Sequence, residues 1–390
     1  MAVNRFIRSV RRYNGFGDQE SGPTTEITSS FRMSALAFLV LAFALASFDQ
    51  GEAKTYQFDY EKQVDVGASV SLHVKNISGN ITINAGATGL DRIIVRSRKI
   101  VQAADEAEAE RIVDKIELKI FTKGKRAIIE TIVGELEDPK RSIWDKLIGS
   151  GKDWFVAVDY DITVPRECDV TISSVKGDVF LGGLVGAVDI SVNSGEIVVK
   201  NLLGGLALET TSGTVDLSDI DGDIEITSTT SDVTFTSITG AVVMHSGSGK
   251  TIGDFIFGKV TIIQTSGDIK IRNLRGNARL KSTSGKIVVE QEEGALDIST
   301  HSGELNVSTE LYSESDFNLE TISGRIKLLI PRGAGGEITI STLSGDIDTH
   351  GLPLEVDHFS KRELKGTFGA GGPRVTIRTD TGDIKVGWRE

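Results

Sequence analysis

Apolar residues recur with a fixed spacing along most of the chain from Gly177 onward. Glycines mark a repeat of eighteen residues, and in most repeats the positions at plus two, four, seven, eleven and thirteen from the glycine are apolar. In the repeat that begins at Gly213, these positions hold Val215, Leu217, Ile220, Ile224 and Ile226. A spacing of two buries one side of a β-strand, so the pattern predicts strands and excludes helices in this stretch.

A second glycine divides each repeat into two halves of nine residues. The repeat glycines are Gly177, Gly195, Gly213, Gly249, Gly267, Gly285 and Gly303, and the second glycines are Gly186, Gly204, Gly222, Gly240, Gly258, Gly276 and Gly294. The series misses one glycine, at Ser231, and lengthens to twenty-one residues before Gly324 and Gly345. Half a repeat suffices for a strand of about five residues and a corner of about four, so each repeat predicts a coil of two short strands.

Stacked coils of this kind predict an all-β fold, a parallel β-solenoid in which two sheets enclose a thin apolar core. Equivalent strands would lie about 4.8 Å apart. The repeat at Gly249 is the least regular, because Ile252 is out of phase, and we expect a bulge or loop there. One inward row holds hydroxyl groups that should bond to the backbone of the corners: Thr210, Ser228, Ser246, Ser282 and Thr300.

The repeat pattern divides the chain into segments. We predict a disordered N-terminus with a signal peptide at 1–53, a small β-rich cap at 54–165, solenoid repeats at 166–350, and an irregular loop with a closing strand at 351–390. The cap should contain one helix, from Ala104 to Ile116, whose acidic start suits a helix N-terminus. The stretch from Gly134 to Asp153 reads as an excursion from the cap. The closing phrase RVTIRTDTGDIKVGW is expected to seal the last coil.

An apolar run from Met33 to Ala46 follows Arg32. The run is short for a membrane span but suits the hydrophobic region of a secretory signal. We therefore expect export to the periplasm, the cell surface or the medium, with no stable membrane span after cleavage; an uncleaved signal anchor is the alternative. A net charge of −12 disfavours nucleic acid and anionic membranes as partners.

The sequence shows no cluster of groups that predicts catalysis, a cofactor or a metal. Cys168 is the single cysteine and no histidine lies near it, which excludes an internal disulfide and gives no sign of a catalytic thiol. Lys250, Lys286 and Arg325 stand where a calcium β-roll would place oxygen ligands. The histidines are scattered: His73, His245, His301, His350 and His358. We therefore assign no catalytic, cofactor-binding or metal-binding residue.

Four features together carry a family resemblance: the early phrase NISGNITI, the phrase VDYDITVP ahead of the array, the repeated SG corners, and GTFGAGG with VTIRTDTGDIKV at the end. Over about residues 60–390 the chain resembles the bacterial putative-adhesin family of β-strand-repeat domains, a family largely of unknown function. The resemblance implies an exported or envelope-associated β-solenoid without a known active site.

Three hypotheses for function follow. The first is a non-enzymatic envelope or secreted protein whose regular surface binds a glycan or protein partner. The second is a structural scaffold of the envelope that self-assembles, because solenoid ends can stack. The third is an enzyme that acts on polysaccharide, as some larger β-helices do. The absence of clustered catalytic groups favours the first.

Overall fold

The computed structural model describes residues 10–12, 54–67, 69–134, 156–311, 315–349 and 351–389. The predicted signal segment, the bulk of the predicted excursion from Gly134 to Asp153, and His350 lie outside the described residues. Within the described ranges, no helix combines the length and apolar character that a membrane crossing requires.

Strands form nearly all of the regular structure. The N-terminal part contains β1 (Val10–Arg12), β2 (Lys54–Asp65), β3 (Val70–Lys75), β4 (Ile81–Ala85), β5 (Arg92–Ala103), α1 (Glu106–Val113), β6 (Ile116–Lys123), β7 (Arg126–Val133) and β8 (Val156–Val164). The repeats contain β9 (Cys168–Lys176), β10 (Val179–Gly182), β11 (Val188–Leu203), β12 (Leu206–Asp221), β13 (Ile224–Thr239), β14 (Val242–Ser248), β15 (Thr251–Phe257), β16 (Val260–Gln264), β17 (Ile269–Arg275), β18 (Ala278–Ser284), β19 (Ile287–Glu293), β20 (Leu296–Ser302), β21 (Leu305–Thr309), β22 (Phe317–Ser323) and β23 (Ile326–Ile330). The C-terminal part contains β24 (Gly336–Ser344), β25 (Ile347–Asp348), β26 (Leu354–Phe359), β27 (Glu363–Phe368), β28 (Arg374–Thr381) and β29 (Ile384–Trp388).

The repeats stack as parallel strands, and the predicted parallel β-solenoid is confirmed. Leu206 pairs with Ile224 one repeat later, and the pairing continues through the missing glycine, where Gly213 pairs with Ser231. The longer repeat is accommodated in the loop between β21 and β22, since β20 pairs in parallel with β22. Strands before each repeat glycine form what we call the first face, and strands after it form the second face.

One coil makes one level of the solenoid. From one end to the other, the levels in the described residues are 126–164, 70–85, 168–182, 188–203, 206–221, 224–239, 242–257, 260–275, 278–293, 296–309, 317–330, 374–388 and 336–348. At about 4.8 Å per level, the stack is about 60 Å long.

The predicted apolar rows fill the core. In the 206–221 level, Val215, Leu217 and Ile220 are no more than 2% exposed, and their equivalents in other repeats are buried in the same cluster. The residue just before the row that contains Ile220 lies in the left-handed region, with φ between 48° and 58°, and the chain bends there. This column, which the apolar pattern does not predict, holds Asn201, Asp219, Ser237, Phe255 and Asn273.

The bulge or loop expected at the Gly249 repeat is wrong. Strand β15 stays in register with both neighbours, and Gly253 pairs with Phe235 on one side and Ile271 on the other. A Cβ on Gly253 would lie 2.4 Å from the Phe235 ring, so the ring occupies the space that a larger side chain would fill. The inward Thr251 is fully buried and its hydroxyl donates to Gln264 Oε1 at 2.8 Å.

The inward hydroxyl row bonds to the corners at three of the five predicted positions. Ser282, Ser246 and Thr210 donate to the backbone carbonyl two residues ahead, at 2.8, 3.2 and 3.4 Å. Ser228 instead lies 3.4 Å from the hydroxyl oxygen of Ser246. Thr300 Oγ1 is buried without a hydrogen-bond partner, so the prediction is wrong there.

At the N-terminal end of the solenoid, the order of the levels in the stack differs from their order along the chain. The 70–85 level lies between the 126–164 and 168–182 levels and pairs in parallel with both. Antiparallel strands continue from there: β6 on β7, β5 on β8 and β2 on β5. The solenoid therefore extends beyond the predicted boundary at residue 166.

Helix α1 joins β5 to β6 and lies within the range predicted for it. Its buried face consists of Ala109, Ile112 and Val113, and Asp105 caps its start by accepting from the Glu108 N–H at 2.8 Å. The buried Lys99 ammonium donates to carbonyls at the helix end, those of Val113 and Ile116, which complements the negative end of the helix dipole.

The C-terminal end is also built out of chain order. Strand β28 lies between β22 and β24, and β29 lies between β23 and β25. The closing phrase was expected to seal the last coil, but it forms the level before the last one. The outer level, 336–348, has a second strand of two residues, and the antiparallel hairpin of β26 and β27 extends its first face.

The corner glycines should be indispensable. A Cβ on Gly285 would lie 2.1 Å from the Gly267 carbonyl oxygen, and φ there is +120°. We expect Gly285→Ala to reduce the free energy of unfolding by at least about 2 kcal/mol, measured by urea denaturation. Gly387→Ala is the control, because a Cβ there meets nothing within 4 Å. Equal stability of the two variants would contradict this account.

Candidate binding surfaces

Acidic and amide side chains at the corners serve the fold. Asp178, Asp232 and Asp268 each follow a corner position and accept the backbone N–H of the equivalent residue one level later, at 2.9, 2.7 and 2.9 Å. Asp223 and Asn277 do the same at the other corner, both at 2.8 Å. These regularly spaced oxygens replace backbone hydrogen bonds and do not converge on a common point.

The histidines stay apart in the structure. His73 lies on β3, His245 on β14, His301 on β20 and His358 on β26. Burial, aided by nearby Arg126, lowers the pKa of His73. Across the described part of the chain, no three His, Cys, Asp or Glu side chains are placed to share a metal ion.

Cys168 is a core residue on β9. Its side chain is 1% exposed and its sulfur contacts the Asp169 carbonyl at 3.4 Å. Burial raises the pKa of the thiol to about 12. The thiol is therefore protonated at neutral pH and is a poor nucleophile.

A cleft of about 890 Å³ opens on the second face near the C-terminal end. Its volume falls in the range of about 300–1,000 Å³ that is typical of ligand sites. The cleft is lined by Asn273, Glu290, Gln291, Glu292, Ser308, Glu310, Leu311, Leu329 and Arg389.

The cleft arises where the repeated bend is lost. At the 278–293 level the register shifts, so that Gln291 takes the place opposite Leu274. Gln291 is 2% exposed; its amide donates to the Gly276 carbonyl at 2.8 Å and its oxygen accepts from Thr309 at 3.0 Å. The inward row thus becomes polar at this level and the surface behind it is recessed.

Two of the three carboxylates in the cleft are paired with arginine. Glu292 Oε2 lies 2.5 Å from Arg275 Nε, and Glu310 forms an ion pair with Arg389. Glu290 is exposed and makes no ion pair within the described residues. Each arginine fixes the position of its carboxylate partner, which leaves the second carboxylate oxygen as an oriented hydrogen-bond acceptor.

Exposed aromatic side chains lead up to the cleft. Phe255 and Phe257 are 50% and 45% exposed, and the Arg275 guanidinium lies 5.5 Å from the Phe257 ring. Phe255 has a φ of 53°, a conformation that is unfavourable for a bulky residue. Both rings therefore expose apolar surface near Arg275, which pairs with the cleft residue Glu292.

A second, shallower groove runs along the first face from the 70–85 level to the 224–239 level. Its volume is about 390 Å³. Hydroxyl and amide groups dominate its lining, which includes Asn76, Ser173, Ser191, Asn193, Glu209, Thr211, Thr227 and Thr229.

These features define a class of protein: a capped parallel β-solenoid with its polar groups spread along an extended surface. The family model described as Toastrack DUF4097 matches residues 162–387, more than half of the 390-residue chain. The chain belongs to this family, which agrees with the resemblance found in the sequence.

Three solved bacterial proteins show partial likeness to the chain. A putative lipid binding protein from Parabacteroides distasonis is 11% identical, with 85% of this chain and 97% of that chain covered and a TM-score of 0.31. A putative cell adhesion protein from Clostridium sporogenes is 13% identical, with 85% and 100% covered and a TM-score of 0.18. A putative adhesin from Bacteroides fragilis is 13% identical, with 84% and 96% covered and a TM-score of 0.22. Similarity this low carries no functional assignment, and no curated protein matches the sequence.

The buried thiol gives a direct test of the site description. Cys168 should react with a maleimide much more slowly in the native protein than in urea, because burial holds the thiol protonated and shielded. Thiol labelling followed by mass spectrometry measures both rates. Comparable native and denatured rates would contradict the placement of Cys168 in the core.

Proposed function

We propose that the protein is an exported, non-enzymatic binding protein of the cell envelope or the medium. Its solenoid acts as a binding or adhesion surface for a glycan or protein partner. The observation that carries the proposal is the cleft on the second face, which is lined by both polar and apolar side chains.

The cleft has the composition of a ligand site. Leu311 and Leu329 provide the apolar part of its lining, while Ser308, Asn273 and Glu290 provide polar groups. Apolar walls with a few fixed polar groups are typical of sites that hold a ligand in one orientation. A sugar chain or a peptide segment presents both kinds of surface.

The exposed phenylalanines extend this surface. Phe257 and Arg275 lie side by side on adjacent levels, and Arg275 also forms an ion pair with Glu292 in the cleft. Aromatic and arginine side chains are the common anchors of binding sites, because they offer large contact areas and directed hydrogen bonds. An extended partner could therefore contact three successive levels.

The charge pattern supports binding over catalysis. Polysaccharide hydrolysis uses two carboxyl groups with separate proton-transfer roles. Here Glu292 and Glu310 are each engaged in an ion pair with an arginine, so neither is a free carboxyl group. Glu290 alone does not provide the second group.

The ends of the molecule disfavour the scaffold alternative. Antiparallel strands cover both ends, and the outer edge strand β26 has a register shift between Val356 and His358. A bulge and the charges of Glu355 and Asp357 on an edge strand oppose pairing with another chain.

Export can be tested by fractionating cells that express the full chain. We expect the wild-type protein outside the cytoplasm and without residues 33–46, and we expect a Leu39→Arg, Leu41→Arg variant to stay inside at full length, because two charges abolish the apolar run. Immunoblotting and mass spectrometry measure both results. Full-length wild-type protein in the cytoplasm would contradict export.

Binding can be tested with residues 54–390 on a glycan array and on intact cells. Ser308→Trp should fill the cleft and weaken binding at least about tenfold. Ser218→Trp is the matched control, since Ser218 occupies the same position after its repeat glycine on a distant level of the second face. Equal binding by both variants, or no binding by the wild type to either target, would contradict the proposal.

A further inference from the structure

Charge is unevenly distributed along the solenoid. From Asn201 to Gly249 the sequence contains seven acidic residues and neither lysine nor arginine, whereas residues 250–286 contain eight basic residues and two acidic ones. The acidic stretch covers the 206–221 and 224–239 levels, and the basic stretch covers the 260–275 level and much of the 278–293 level. The uncharged first face of the 242–257 level lies midway between them.

Columns on the first face show this reversal residue by residue. Glu209 and Lys281 occupy one column, two levels to either side of His245. Asp223 and Lys259 occupy another column, one level to either side of Ala241. Each of the three directly precedes a residue of the paired row Ile224, Val242 and Val260. Glu209 and Asp223 therefore each have a base in the same column and at the same distance from the middle level, whereas Glu225 has Thr261 at the equivalent position.

These charges have no ion-pair partners within the described residues. Glu209, Lys259 and Lys281 make no salt bridge there, and Asp223 accepts only the Ala241 N–H. The middle of this surface, at the 242–257 level, is uncharged and partly apolar: Val243 is half-buried, and Ile263 on the adjacent level is 41% exposed.

We propose that two copies of this chain associate face to face and antiparallel through the first face. The twofold axis runs along the strands of the 242–257 level. That operation keeps each column and reverses the order of levels, so Glu209 faces Lys281 of the second copy and Asp223 faces its Lys259, each pair occurring twice. Val243 and His245 meet their own equivalents at the axis.

The second face does not have this complementarity. The same operation would set Asp254 against itself, and it would set Asp221 against Glu293, which share a column through Phe257. Like charges in these positions repel. The first face is therefore the surface that fits a second copy, and the cleft on the second face stays open in the dimer.

The contact is small. Five levels at about 4.8 Å and seven residues at about 3.3 Å give a face of roughly 500 Å² per copy, or about 1,000 Å² buried in total, which is the size of a weak or transient interface. Sheet twist turns the outer levels away from each other, so the contact does not grow along the stack. We therefore expect weak association that depends on salt.

Sedimentation equilibrium of residues 54–390 tests the dimer. At about 0.01 M salt the protein should dimerise at concentrations approaching about 1 mM, and at about 1 M salt it should dissociate, because the Debye length falls from about 30 Å to about 3 Å. A protein that stays monomeric throughout at low salt would overturn the proposal.

Charge reversal identifies the face. Glu209→Lys alone and Lys281→Glu alone should each weaken self-association at least about tenfold, because each places like charges opposite each other. An equimolar mixture of the two variants should form a heterodimer, and the double variant should dimerise like the wild type. Asp216→Lys on the second face is the control and should leave association unchanged. A mixture that fails to associate would overturn the proposed register.

The two proposals fail separately. Glycan or cell binding through the cleft should be unchanged in Lys281→Glu, whereas Ser308→Trp should leave the dimer intact. A wild-type chain that stays monomeric at low salt yet binds its ligand would overturn the dimer alone, and a wild-type chain that dimerises but binds no ligand would overturn the binding proposal alone.

Discussion

Close contact between corner glycines in successive levels is the constraint on which the rest of the structure depends. A Cβ on Gly213 would lie 2.0 Å from the Gly195 carbonyl oxygen, and the same geometry recurs at Gly267 and Gly285. Parallel levels separated by about 4.8 Å leave no room for a side chain on these positive-φ glycines. Ser231 is the exception in this column, and it occupies the corner without a positive φ. Because successive coils pass the same narrow corner, the residues between corners fall into straight columns, and inward columns form one continuous core.

The same stacking makes the two ends the weak points, since each terminal level exposes an unpaired strand. At both ends, the order of the levels in the stack differs from their order along the chain. The 70–85 level and the 374–388 level each lie one position inside an end, so sequence-distant segments are held between parallel neighbours on both sides. A strand at the very end of the stack could detach by breaking one ladder of backbone hydrogen bonds, whereas each of these segments must break two. The antiparallel strands beyond them change the pairing direction and end the parallel stack.

Sequence periodicity was sufficient for the solenoid, the inward rows and helix α1, because those features repeat or are local. It was insufficient wherever a level depends on a distant partner. Ile252 looked out of phase, yet Phe235 from the adjacent level fills the space at Gly253. The left-handed column was missed although Asn201, Asp219 and Asn273 carried its signal, since Asn and Asp tolerate that conformation. The cleft had a weak signal too: Glu292 stands where the preceding repeats have an apolar residue, and Glu310 stands at the same position in the next repeat.

A regular backbone has consequences for recognition. Every level presents the same strand geometry, so the backbone cannot distinguish one part of the surface from another, and specificity must come from side chains or from a break in the repeat. The structure offers one of each: the charge reversal along the Glu209 and Lys281 column, and the loss of the bend at Gln291. The charge reversal favours a partner whose charges have the same spacing but run in the opposite order, as they do in an antiparallel second copy. The break creates a recess of fixed shape, which suits a ligand of different chemistry. Because the two lie on opposite faces, one molecule can engage both without competition.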